Sequence, residues 1–218
     1  MLLKGRIHNS PYIGVFSASN EEIAIVPNDI SKEEEESIRR SMDVEIHKTL
    51  LGGSPLIGSL MVINSHGAVI TDFADLEDVP FLKSDYNILF VNDKINAVGN
   101  DILAGDKAAI VHPDFDNETV KLIGEVLDVE ALKMEIGGIS TVGSAALVTK
   151  KALLVNPQVS DEEVEKLKSI FNLPVYIVTA NFGSLYIGAS MIANSKGAYL
   201  GDTSTAVEVL QIEEALGI

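Results

Sequence analysis

Four histidines, thirty-two carboxylates and no cysteine are the groups in this chain that could do chemistry, and their placement limits that chemistry. Without cysteine there is no thiolate nucleophile, no cysteine zinc site and no disulfide, an absence that suits a reducing cytoplasm. His8, His47, His66 and His112 are widely scattered, with no HxxxH or HExxH spacing for a metal. None has a sequence neighbour placed to orient its imidazole. No GxSxG elbow presents a serine, although a triad assembled in space from distant residues is left open. The pairs Gly52-Gly53 and Gly137-Gly138 lack the Lys-Ser/Thr ending of a phosphate loop, and turn geometry is the better use for them. The run Glu33 to Glu36 could hold a cation or a basic partner, but acids in a helix's first turn are explained by its dipole. No catalytic, metal or cofactor residue is expected.

Charge narrows the partners instead. Thirty-two acids against sixteen bases give a net charge of −16 over 218 residues. That field opposes phosphate backbones and favours basic protein. The 46% hydrophobic and 22% charged fractions are those of an ordinary globular chain. No apolar run is long enough for a membrane span, and MLLKGRIHNSP has no secretory apolar core.

The elements that must position any site are written five times. YIGVFSASNEEIAIVPN (Tyr12 to Asn28), LIGSLMVINSHGAVITD (Leu56 to Asp72), VGNDILAGDKAAIVHP (Val98 to Pro113), VGSAALVTKKALLVNP (Val142 to Pro157) and YIGASMIANSKGAYLGD (Tyr186 to Asp202) align without a gap. They register on Gly14, Gly58, Gly99, Gly143 and Gly188, each after a β-branched residue. Apolar segments flank a polar break at Asn20, Asn64, Gly105, Thr149 and Asn194, which predicts a hairpin in each copy. The glycines are read as strand entries allowing close backbone approach. Ala24, Ala68, Ala109 and Ala198, with Leu153 as the exception, recur ten positions on and imply a crowded barrel interior.

Ser31-x-x-Glu34 and Ser160-x-x-Glu163 are capping boxes opening helices, with Ile38 and Met42, and Val164, Leu167 and Phe171, on their apolar faces. Val120, Ile123 and Leu127 predict a third helix, while FADLEDVP predicts only a short turn. Last strands are expected at Val44 to Thr49, Asn87 to Val91, Val129 to Met134 and Val175 to Thr179. The unit is strand, strand, helix, strand. The fifth copy stops short of its last strand, and LLKGRI near the N-terminus completes it. A single domain of five repeats follows (14–57, 58–98, 99–142, 143–187, and 188–218 completed by 1–13), closed into an α/β ring without exposed edges.

A ring of five such units is the pentein architecture. ALVTKKALLVNPQVSDEEVEKL, AVGNDILAGDKAAIVHPDFDNET and GDTSTAVEVLQIEEALG resemble segments of the archaeal translation initiation factor 6 family, in order over essentially the whole chain. The resemblance implies a non-catalytic factor that docks on the intersubunit face of the large ribosomal subunit and blocks joining of the small one. It implies contact mainly with basic ribosomal proteins near the sarcin–ricin loop, a cytoplasmic monomer, no membrane and no cofactor. Val98-Gly99-Asn100 matches an LGN-like segment in the family's ribosome-facing region. Pseudo-symmetry puts the five strand entries at one end, so Gly58, Ser59, Gly99, Asn100 and Ser144 are expected ribosome-binding residues. The preceding loops contribute Asn9, Asn181 and Tyr186, the last either an exposed anchor or a core-facing strand residue. The pentein fold also hosts guanidino-modifying enzymes with a cysteine nucleophile, so an enzyme using a non-thiol site is the alternative. A general acidic protein-binding scaffold is a third.

Overall fold

A computed structural model describes all residues, 1–218, and contains five three-stranded sheets in a repeated pattern. Strand β1 (Leu2–Gly5) precedes the first full unit: helix α1 (Ile13–Phe16), strands β2 (Ala18–Ser19) and β3 (Ile23–Pro27), helix α2 (Lys32–Met42) and β4 (Glu45–Thr49). The second unit has α3 (Ile57–Leu60), β5 (Met61–Ile63), β6 (Gly67–Thr71), a single 3-10 turn (Pro80–Leu82) and β7 (Asn87–Val91). The third has α4 (Val98–Asp101), β8 (Ile102–Ala104), β9 (Ala108–Val111), α5 (Asn117–Leu127) and β10 (Glu130–Lys133). The fourth runs α6 (Val142–Ala145), β11 (Leu147–Val148), β12 (Leu153–Val155), α7 (Asp161–Phe171) and β13 (Val175–Ile177). The fifth ends the chain with α8 (Ile187–Ser190), β14 (Met191–Ala193), β15 (Ala198–Gly201) and α9 (Ala206–Leu216).

Within each sheet the inner strand pairs antiparallel with the middle one through the expected hairpin, and the outer strand pairs parallel after the helical crossover. Every residue of the five middle strands is buried, because both faces are covered. The fifth sheet takes its outer strand from the N-terminus: β1 pairs parallel with β15, from Leu2↔Ala198 to Gly5↔Gly201. The two ends of the chain close the ring, as the incomplete fifth copy required.

One expectation is corrected. The repeat glycines do not enter strands; they lie in the one-turn helices α1, α3, α4, α6 and α8. A short apolar segment is ambiguous between helix and strand, and here five such turns pack side by side into the inner ring. A Cβ on Gly58 would sit 1.9 Å from the Gly14 carbonyl oxygen, and one on Gly99 2.0 Å from that of Gly58. The series continues through Gly143 and Gly188, and a Cβ on Gly14 would lie 1.8 Å from the Gly188 oxygen. The glycines let five backbones touch around a closed circle.

Each helix packs both on the sheet of its own unit and on the sheet of the unit before it. Ile38 and Met42 of α2 pack with Ile192 and Tyr199 of the fifth sheet, and Ile123 and Leu127 of α5 pack with Val69 of the second. Leu167 and Phe171 of α7 cover Leu103 and Ile110, while Ile212 and Leu216 of α9 cover Leu154. Each fully buried Ile or Leu contributes about 1.5–3 kcal/mol, and part of that contribution requires the neighbouring unit to be in place. The first sheet, followed by the unit without a full helix, is covered by Val79 and Leu82, with Phe81 stacked on His47 at 4.3 Å between ring centroids.

The capping boxes form at Ser31/Glu34 and Ser160/Glu163, and a third forms at Thr205/Glu208. The helices end on left-handed residues, Asp43, Asp128, Asn172 and Gly217. Helix α5 lacks a side-chain cap of its own at Asp116.

The glycine ring predicts a contrast between two alanine substitutions. Gly99→Ala drives a Cβ into backbone that cannot retreat and should destabilise by about 3 kcal/mol or more. Gly105→Ala meets the edge of the Phe171 ring at 3.3 Å and the Ala108 carbonyl oxygen at 3.4 Å, both near ordinary contact, and should stay within about 1 kcal/mol of the parent. Urea denaturation of both variants checks this; equal stabilities would remove the ring contact as the cause.

Candidate docking face and the central channel

The turns that lead into the one-turn helices lie at one end of the ring. His8-Asn9 (φ 51° and 61°), Gly52-Gly53 (55° and 81°) and Gly137-Gly138 (58° and 72°) each place two left-handed residues between bridged flanks. That is the backbone of a type I′ hairpin turn, which glycine adopts without penalty. The fifth turn holds three left-handed residues, Asn181, Phe182 and Gly183. The third unit has no bridged turn at this place.

A carboxylate from the helical segment of the unit that each turn leads into, or from the stretch standing in for it, clamps most of these turns. Gly52 N–H donates to Asp78 Oδ2 at 2.8 Å and Gly137 N–H to Glu163 Oε1 at 3.0 Å. Glu208 accepts from Phe182 N–H (3.2 Å), Gly183 N–H (2.8 Å) and the Thr179 hydroxyl (2.8 Å) while capping α9 through Thr205. His8 Nε2 lies 2.8 Å from Asp29 Oδ1. In the third unit the direction reverses: Asp93 on the loop accepts from Asp116 N–H at the start of α5. Burial opposes the ionised forms of Glu163, Glu208 and Asp93, but the converging N–H donors outweigh it and hold all three below the usual carboxylate range.

The expected site residues are distributed unevenly on this end. Asn9 is exposed, and its carbonyl accepts from Arg6 Nη1 at 2.9 Å. Asn181 ties the fifth turn to the first through Nδ2 donating to the Pro11 carbonyl at 2.8 Å. Tyr186 is 45% exposed, which settles its two readings in favour of the surface. At the same place before the repeat glycine stand Tyr12 and Leu56, each 39% exposed, which sequence reasoning missed. Asn100 and Ser144 line the narrow part of the central channel together with Gly58 and Gly99. The Ser144 hydroxyl is turned back on the Thr141 carbonyl at 2.8 Å, whereas at Asn100 it is the backbone N–H that donates, to the Ala97 carbonyl at 2.8 Å, and the side-chain amide is left without a protein partner. Ser59 is a correction: it is only 8% exposed and belongs to the packed ring, not to its surface.

The opposite end is built from the hairpin tips. Asn20 Nδ2 donates to the Asn64 carbonyl and Asn64 Nδ2 to the Gly105 carbonyl, both at 3.0 Å. Asn64 and Asn194 also reach the last carbonyls of α5 and α2, at 2.8 and 2.9 Å. Glu21 and Asp106 accept from the backbone and hydroxyls of Ser195 and Ser65. Here the channel widens to about 390 Å³, against about 100 Å³ at the glycine end. No three His, Asp or Glu side chains converge to hold a metal.

Asp101, beside Asn100, stands where the other units have Phe16, Leu60, Ala145 and Ser190. It is 5% exposed, and burial raises its pKa to about 6 despite the opposing charge interaction with His112. A folded pKa above the unfolded value of 3.8 means stability falls as pH rises from about 4 through 6. Asp101→Asn should therefore be more stable than the parent at pH 7, by up to about 3 kcal/mol. The difference should shrink toward zero at pH 4. Chemical denaturation at the two pH values tests it, and a pH-independent difference would contradict the assignment.

The chain matches the model of the eIF-6 family over residues 2–215. It is 39% identical to translation initiation factor 6 of Picrophilus torridus, covering 99% of this chain and 100% of that one. It is 38% identical to translation initiation factor 6 of Pyrococcus horikoshii, over 96% and 95% of the two chains. Among solved structures it resembles a dimethylarginine dimethylaminohydrolase adduct with S-methyl-L-thiocitrulline, a pentein, with a TM-score of 0.51 at 13% identity over 84% of this chain and 76% of that one. That likeness carries the fold alone. With five units, a closed ring and a family match along nearly its whole length, the chain belongs to the eIF-6 family of translation initiation factors.

Proposed function

We propose that the protein binds the large ribosomal subunit on its intersubunit face and keeps the small subunit from joining by occupying the space. The observation that carries this reading is the end of the ring where clamped turns present Tyr12, Leu56 and Tyr186, all 39–45% exposed, at one structural level. Turns held by side-chain carboxylates lose little freedom on docking, and exposed aromatics are the usual anchors of such contacts. A net charge of −16 favours basic ribosomal proteins, such as those beside the sarcin–ricin loop, over the phosphates of the RNA.

The factor acts as a cytoplasmic monomer, and no chemical step is required. No helix is long and apolar enough to cross a membrane. The wide mouth of the channel, with Glu21, Asp106 and Lys150 around it, is where a pentein enzyme would be sought. Guanidino chemistry of that kind uses an activated thiolate, and the chain has no cysteine.

Co-sedimentation with separated archaeal subunits at two salt concentrations tests the proposal. The protein should travel with the large subunit alone and reduce the yield of joined particles when the small subunit is added. Absence of co-migration at both salts would end this reading. Asn100→Lys, which places a charge beside the glycine ring, should weaken large-subunit binding at least about tenfold with the melting temperature unchanged. Full binding by that variant would remove Asn100 from the interface.

A further inference from the structure

The fifth turn departs from the others in a way that folding does not explain. The turn position clamped by a carboxylate is glycine in two units, Gly52 and Gly137, but the corresponding clamped residue here is Phe182. Its φ is +63°, a conformation in which a bulky side chain strains the backbone. Its ring is 82% exposed, the most exposed of the large apolar side chains. The chain thus strains its backbone to hold a largely exposed phenyl ring in water. Such an outlier persists only when its surroundings over-determine it. They do: Glu208, itself 5% exposed, accepts from the N–H groups of Phe182 and Gly183, and Asn181 is held by Ser204 and Pro11.

Helix α9, whose Glu208 makes the clamp, exposes Val207 (66%) and Leu210 (65%) on adjacent turns. Of the four carboxylates from Asp202 to the C-terminus, Asp202 is paired with Arg6 at 2.9 Å and Glu208 is buried in the clamp, which leaves Glu213 and Glu214 of α9 without an ion pair, Glu214 on the face of Val207 and Leu210. We infer that Phe182 is an anchor that inserts into an apolar pocket on a basic protein, with Val207 and Leu210 extending the contact and Glu213 and Glu214, on a chain of net charge −16, meeting the partner's lysines and arginines. This rests on the proposed ribosomal reading and specifies it: the partner at this sector of the ring is a basic protein of the large subunit, not its RNA.

The test uses the full chain and purified large ribosomal subunits. Phe182→Gly should lower affinity about 10- to 100-fold, while its melting temperature stays level or rises, because glycine relaxes the left-handed backbone. An ultraviolet-activated benzoylphenylalanine at position 182 should cross-link to a basic ribosomal protein. Binding by Phe182→Gly equal to the parent, or cross-links only to RNA or to a second copy of the chain, would overturn the assignment and leave the ribosomal reading standing. Failure of the parent itself to bind the large subunit would instead end that reading, and the partner named here with it.

Discussion

The contact between backbones at Gly14, Gly58, Gly99, Gly143 and Gly188 is the constraint on which the rest of the ring depends. Each Cα faces the carbonyl of the preceding unit's glycine at a distance that no side chain fits. The contact sets the inner radius, so the five inner strands start at one level and their sheets radiate outward. Space between adjacent sheets then widens, and a helix or a short turn fills it. The helix of each unit covers the sheet of the unit before it, so every core is shared. Units of this kind depend on their neighbours to bury a continuous core. Open repeat arrays need polar caps at their ends; here β1 reaching β15 makes caps unnecessary.

A second coupling joins the helices to the turns. Glu163 and Glu208 each cap a helix and hold the left-handed turn that leads into its unit. One carboxylate thereby satisfies donors at two places that would otherwise face solvent or remain unpaired. The result is an end of the ring whose turns are tied to its helices. The asparagine belt at the hairpin tips does comparable work at the other end, where Asn64 and Asn194 join hairpin tips to helix C-termini.

The units depart from five-fold symmetry at informative places. Asp101 replaces apolar or small residues beside Asn100, and Phe182 replaces glycine beside Tyr186. Both exceptions lie at the end with the clamped turns, and both act against stability: one is a buried carboxylate, the other a strained and exposed ring. Local conflicts of this sort concentrate where a surface has work other than folding. Loss of the full helix in the second unit is different in kind, because Val79, Phe81 and Leu82 still cover the neighbouring sheet.

Much of this was legible in the linear chain. The period, the hairpins, the outer strands, the capping boxes at Ser31 and Ser160, and the return of the N-terminal strand all follow from spacing and residue type. Those are local properties, and repetition turned each weak local signal into five concordant ones. Thr205-x-x-Glu208 carried the same capping signal and was readable, but its reach to Phe182 was not, because that contact joins residues 26 apart through the packing of α9. Short segments such as IGSL have no period long enough to separate helix from strand, so their helical form is decided by the ring. Exposure is decided there too: Tyr186 faces outward and Ser59 inward because adjacent turns press together around the glycines. Sequence by itself determined the repeating unit and its closure, since each copy states its own elements. Tertiary structure alone decided which side chains of those elements meet water, since that depends on neighbours the local chain does not contain.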